Sequence, residues 1–300
     1  MRLLFYRWLV FMSRSLGPWF FRLVSGIVAC GYFILLPGRT RHSVRFYRRL
    51  YPGRSSLTPV ACALRQYISF TTLYLDRLLP EEQARRRIAS SGWHHIGEAL
   101  EGGRGAIILM SHMGNWETAV RQMRVSLSAD TPLLLYMGRR DREQIEALQK
   151  EGLGQRDIRV VAAQSGRTDA LDVLDGLRVL AEGGVVSLTG DRLWSGQERS
   201  VRVRLLGHTV RLPQMPYRLA MAARAPLIVF FSFRDSQGGY RVTASPPIRV
   251  ERRPGFSKEA AVGRAAQRYA DLLEDALREY PFQWYHFGPF LEIDSSLPIH

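Results

Sequence analysis

The stretch Gly105–Glu117, GAIILMSHMGNWE, decides how the chain is read. Ala106 to Met110 form a short apolar run of strand character, Ser111 to Asn115 a tight polar turn, and a helix is predicted over 117–128. A buried strand therefore delivers His112 to a sheet edge. His112 and Glu117 are five residues apart, which on a continuous helix would leave them about 140° apart at roughly 100° per residue. They can pair only if His112 lies ahead of the helix. The Gly114-Asn115 step supports that, because both residues tolerate turn geometry and Asn is a good N-cap. Such a pair would be a histidine base whose second ring nitrogen is held by a carboxylate. No serine or cysteine nucleophile accompanies it in the motif, so the base would act directly on a substrate hydroxyl or amine.

Outward from this stretch, strand-like and helix-like runs alternate. The strands are predicted at Ala106–Met110, Leu133–Met137, Ile158–Ala162, Val185–Thr189 and Leu227–Phe233, with helices over 117–128, 141–151, 168–182 and 215–224. A hairpin is predicted from Val201 to Leu212, and an amphipathic helix capped by Ser257 runs to Glu279. Ahead of the core stretch, a helix over 57–79 is followed by a second, starting at Pro80-Glu81-Glu82 and continuing through Trp93 to Leu100. The pattern predicts an α/β fold: a mixed central sheet flanked by helices. Open sheets of this kind place their sites at strand carboxyl ends, which is where His112 falls.

Ser111-His112-Met113-Gly114-Asn115-Trp116-Glu117 resembles the H-x4-D/E block of the lysophospholipid-acyltransferase superfamily, in the form found in its lipid A biosynthesis branch. Further similarity lies in Thr189-Gly190-Asp191-Arg192, Leu206-Gly207-His208, Leu212-Pro213, Tyr217-Arg218-Leu219-Ala220 and Arg224-Ala225-Pro226-Leu227-Ile228. Order and spacing agree over roughly residues 15–290. The resemblance implies a glycerolipid-acyltransferase-like fold with an N-terminal membrane-associated helix. It also implies transfer of a fatty acyl chain from an acyl-carrier-protein or coenzyme A thioester to a lipid A precursor or related glycolipid. In that scheme His112 is the base and Glu117 orients it and offsets its charge. Asp191 belongs to the active site, Arg192 and Asn115 bind substrate, and Arg139 or Arg140 meets a phosphate of donor or acceptor, for which guanidinium is suited. The arginine spacing departs from the family's pattern, and the second block continues Leu193-Trp194, which leaves the acceptor open among glycolipids, lysophospholipids and other lipids. Two competing readings are a non-catalytic membrane protein of this fold that binds lipid or a carrier protein, and a hydrolase in which His112 activates water.

Charge is distributed unevenly. The formal charge is +15, yet the first acidic residue is Asp76, and the first 75 residues hold eleven arginines. Within that basic front, Trp19 to Leu36 is apolar apart from Arg22, Ser25 and glycines, and Pro37-Gly38 closes it. A membrane span needs about 20 mostly apolar residues, so the segment either crosses or lies in an anionic headgroup layer. If it crosses, the arginines from Arg39 to Arg54 hold its carboxyl side in the cytoplasm. Either way the catalytic part is expected at the cytoplasmic face of a bacterial inner membrane. Ile27-Val28-Ala29-Cys30 imitates a lipoprotein cleavage site, but Arg22 interrupts the apolar run and the run continues past Cys30. Nucleic-acid binding suits a solvated basic stripe; arginines bracketing an apolar stretch argue for membrane instead.

The sequence divides into a membrane-anchoring segment, 1–55, and an acyltransferase domain, 56–300. Near the end, Tyr280 to Phe290 crowds aromatic side chains around His286, which reads as core or interface, or as a lining for an acyl chain. Cys30 and Cys62 have no metal or disulfide spacing, and no histidine or cysteine cluster has zinc spacing. The chain lacks a G-x-S-x-G elbow, a P-loop and a dinucleotide fingerprint. The expected reaction needs no metal and no cofactor beyond the thioester co-substrate.

Overall fold

The computed structural model describes residues 8–9, 11–13, 15–78, 87–128, 130–138, 158–163, 170–193 and 199–290. In chain order the elements are α1 (Pro18–Leu35), α2 (Pro37–Leu50), α3 (Leu57–Leu78), β1 (Ile88–Ser91), α4 (His94–Glu101), β2 (Ala106–Met110), α5 (Trp116–Ser126), β3 (Leu133–Gly138), β4 (Ile158–Ala163), α6 (Ala170–Ala181), β5 (Val185–Thr189), β6 (Ser200–Leu205), β7 (His208–Pro213), α7 (Met215–Ala223), β8 (Leu227–Arg234), β9 (Tyr240–Ala244) and α8 (Lys258–Glu279). They form two compact units. One comprises residues 1–88, 234–240 and 275–291, the other 89–233, 241–274 and 292–300.

The larger unit carries the expected α/β architecture. Its sheet has seven strands in the order β1-β9-β8-β2-β5-β3-β4. Strands β8, β2, β5, β3 and β4 run parallel. Parallel strands are covered on both faces, and β2 is buried along its whole length. Successive residues alternate between faces. Ile108 and Met110 pack into a core with Ala119, Val120 and Met123 of α5 and Ile96 and Ala99 of α4. Leu109 points the other way, where its Cδ1 and Cγ, at 2.8 and 2.9 Å, and Tyr269 Cζ of α8, at 3.0 Å, crowd the place a Cβ at Gly190 would take. Separately, β6 and β7 make the antiparallel hairpin the sequence indicates, with Arg202 opposite Arg211. Gln267 of α8 clasps Arg204 through both its main-chain groups, at 2.8 and 2.9 Å.

In the smaller unit α1 and α2 both pack on α3. Proline explains the corner between α1 and α2: Pro37 disfavours helical geometry at the residue before it, and Leu36 sits at φ −114°, ψ 64°. Thr40 Oγ1 closes the corner by donating to the Phe33 carbonyl at 2.7 Å. The aromatic segment after α8 belongs to this unit. Trp284 is fully buried against Phe46, with ring centroids 5.0 Å apart.

Two elements correct the sequence reading. The stretch leading into Trp93 is not all helix, because Ile88–Ser91 forms strand β1 before α4 begins. Tyr240–Ala244 adds strand β9. All four residues of β1 are exposed, so no apolar alternation marks it. The helix expected over 141–151, and the helix start at Pro80, lie outside the described residues.

Candidate active site

Strand β2 ends at Met110 and its parallel neighbour β5 ends at Thr189, the two residues being register partners. Gly190 N–H donates to the Met110 carbonyl at 2.8 Å, which carries the register one step beyond the strands. Two residues past each partner stand His112 and Asp191. The pair forms two bonds: His112 N–H donates to Asp191 Oδ2 at 2.9 Å, and His112 Nδ1 lies 2.9 Å from Asp191 Oδ1. Asp191 is completely buried, whereas the His112 side chain keeps 21% of its surface exposed. An oriented imidazole with one side open is the arrangement general-base chemistry requires.

The turn that presents His112 is fixed by backbone geometry. Gly114 sits at φ +70°, and a Cβ there would fall 1.9 Å from the Ser232 carbonyl oxygen of β8. The same carbonyl accepts the Asn115 N–H at 2.8 Å. Asn115 then caps α5: its Oδ1 accepts from Glu117 N–H at 3.1 Å and Thr118 N–H at 3.2 Å. His112 is therefore ahead of the helix, as the spacing argument required.

The expected pairing of His112 with Glu117 is where the geometry differs from the sequence reading. Nδ1 is held by Asp191, 79 residues away in sequence, because neighbouring parallel strands bring their carboxyl ends together. Glu117 is buried in the first turn of α5, where the helix dipole favours a carboxylate. Arg192 follows Asp191 and is half-buried. Arg139 and Arg140 lie outside the described residues.

Behind the pair, Tyr269 of α8 is fully buried and its hydroxyl faces the Met110 carbonyl at 3.4 Å. Burial pushes this phenol well above a tyrosine's ordinary range, and the charge of Asp191 raises it further. Tyr269 thus stays neutral and closes the floor under Gly190. Nothing local in the sequence pointed to it, since it lies on the last helix. On α4, His94, His95 and Glu98 bring one ligand atom each within 4.8 Å of one another; His95 Nδ1 meets Glu98 Oε2 at 3.3 Å, an i,i+3 surface pair.

A histidine held by a buried carboxylate at the carboxyl edge of a mainly parallel sheet is an arrangement that general-base chemistry can use. The model of the bacterial lipid A biosynthesis acyltransferases matches residues 60–291, and the chain belongs to that family. No curated protein matches it. The first sequence block of the resemblance, Ser111 to Glu117, and the second, Thr189 to Arg192, are the two turns that meet in the site.

Proposed function

We propose that the protein transfers a fatty acyl chain from an acyl-carrier-protein or coenzyme A thioester to a hydroxyl or amine of a lipid A precursor or related glycolipid. His112 is the general base. Asp191 holds Nδ1–H, which leaves Nε2 to take the acceptor's proton as the acceptor oxygen or nitrogen bonds to the thioester carbonyl. The tetrahedral centre then collapses, the carbon–sulfur bond breaks, and the thiolate leaves with the proton that the imidazolium returns. Asp191 offsets the transient positive charge. Glu117 adds a second buried carboxylate at the start of α5. Asn115, Arg192 and Arg139 or Arg140 position acceptor and donor polar groups, and the chemistry requires neither a metal nor a covalent acyl-enzyme. The enzyme works at the cytoplasmic face of the inner membrane.

The observation that carries this reading is the 2.9 Å contact between Nδ1 and a fully buried carboxylate. The experiment is acyl transfer by membranes containing the wild-type or the His112→Ala protein, supplied with each thioester and with lipid A precursor. Lipid mass spectrometry should find one species heavier by an acyl group only with wild type. A folded, membrane-bound His112→Ala protein with full activity would refute the assignment. Release of free fatty acid without acceptor would replace it with hydrolysis.

A further inference from the structure

We propose that α1 lies within one membrane leaflet and does not cross the bilayer, an inference that rests on the membrane-enzyme reading above. Among the described residues, α1 is the helix that by length and composition could span: its 18 residues at 1.5 Å each reach about 27 Å. Its two faces differ. Phe21, Ser25 and Ala29, one turn apart, are buried, whereas Trp19, Leu23 and Ile27 form an exposed apolar stripe that continues to Ile34 and Leu35.

The ends of α1 are both tied to α3. Near its start Phe21 clusters with Leu75 and with Leu9, and near its end the Phe33 ring meets the Tyr67 ring at 5.5 Å. Tyr67 and Leu75 are separated by eight residues of one helix, about 12 Å. A hydrocarbon core is about 30 Å thick. Beyond these two points the sequence of α3 turns charged or polar, with Arg65-Gln66 before Tyr67 and Asp76-Arg77 after Leu75. Driving Arg65 or the Asp76-Arg77 pair to mid-bilayer depth is strongly unfavourable.

The Tyr67 end is further clasped by the segment after α8. Gln66 Nε2 donates to the Trp284 carbonyl at 2.6 Å, Tyr67 packs on Phe287 at 4.8 Å, and Phe70 packs on Tyr285 at 5.1 Å. Tyr47 of α2 donates to the Pro281 carbonyl at 2.8 Å. Gln283 in turn bonds both main-chain groups of Arg234 at the end of β8. The helices that grip α1 at both ends are thus themselves held by the segment after α8, and crossing would tear that grip apart.

An anionic phospholipid leaflet fits what remains uncovered. The apolar stripe of α1 enters the acyl boundary, and Arg39, Arg41, Arg45, Arg48 and Arg49, all exposed on α2, meet phosphates at the same surface. Arg22, the lone cation on the exposed side of α1, extends its stem to the same layer.

The test places single cysteines on either side of α1, Ser15→Cys and Arg41→Cys, in a chain whose half-buried Cys30 is replaced by alanine; the parent sets the baseline for buried Cys62. Both substituted positions are exposed. A membrane-impermeant maleimide is applied to intact spheroplasts and to inverted inner-membrane vesicles. The in-plane arrangement gives strong labelling of both cysteines in the vesicles and at least tenfold less of either in spheroplasts. Labelling of the two sites from opposite sides overturns it and leaves the membrane enzyme intact. Recovery of the parent chain in the soluble fraction overturns the membrane reading and this inference with it.

Discussion

His112 and Asp191 stand at the same height on neighbouring parallel strands, each two residues beyond the register pair Met110 and Thr189. Their two 2.9 Å bonds use both carboxylate oxygens, one on the histidine's ring and one on its main chain. The carboxylate therefore fixes the loop and the ring together, and a change at Asp191 disturbs orientation before it disturbs binding.

Asp191→Asn should lower the acyl-transfer rate constant by about 10²–10⁴-fold with a much smaller change in KM. An amide can present its NH2 to Nδ1 and so select the wrong tautomer. Glu117→Gln, in the first turn of α5, should cost less at the chemical step. Steady-state kinetics on both variants with one thioester donor decides it. A larger kcat loss in Glu117→Gln than in Asp191→Asn would return the orienting role to Glu117.

Gly114→Ala should destabilise the protein far more than Gly103→Ala. Both glycines have positive φ, +70° and +67°, so backbone strain of roughly 1–3 kcal/mol is common to the two. At Gly103 a Cβ meets nothing within 4 Å, whereas at Gly114 it would overlap the Ser232 carbonyl. The difference in melting temperature between the variants isolates that overlap. Gly114→Ala should also lose activity, because relieving the overlap moves the turn that carries His112.

How much of this was legible beforehand follows from the range of each signal. Strands β2 and β5 were readable residue by residue, because five consecutive apolar or small positions between polar turns have few alternatives. The cap at Asn115 and the placement of His112 ahead of α5 were equally local. The partner of His112 was not local: H-x4-E offers a carboxylate nearby in sequence, whereas Asp191 becomes adjacent only once β2 and β5 are known to be neighbours. Strand β1 was hidden because it is exposed throughout and is defined by its partner β9. The basic, apolar front was visible as a helix long and apolar enough for a membrane, but the grip of α3 on both ends of α1 depends on contacts that no pattern within α1 encodes.

Alkaline pH should destabilise the fold through Tyr269. Its pKa is raised in the folded state above the ordinary 10.0, by burial first and by Asp191 second. A raised folded pKa means that the stabilising contribution is complete below pH 10, falls as pH rises past it, and is lost once the folded value is passed. Tyr217, also fully buried and also raised by burial, contributes in the same direction. Tyr269→Phe should therefore flatten the decline in denaturation midpoint between pH 10 and 11 while changing stability little at pH 7. An unchanged slope would mean that Tyr269 is not the titrating group.

The two faces of α1 predict opposite phenotypes for two substitutions. Ile27 lies on the exposed stripe at 65% exposure, while Phe21 is 3% exposed against Leu75. Burying one such side chain in an apolar phase is worth about 1.5–3 kcal/mol, and 1.4 kcal/mol is tenfold in partitioning. Ile27→Glu should thus weaken binding to vesicles containing anionic phospholipid by roughly tenfold or more, with no change in melting temperature in detergent. Phe21→Ala should do the reverse, lowering the melting temperature through a cavity costing about 3–5 kcal/mol while vesicle affinity of the folded fraction is retained. Vesicle co-sedimentation and thermal melts on the two proteins measure both quantities. Equal vesicle binding by Ile27→Glu and wild type would remove the stripe from the membrane.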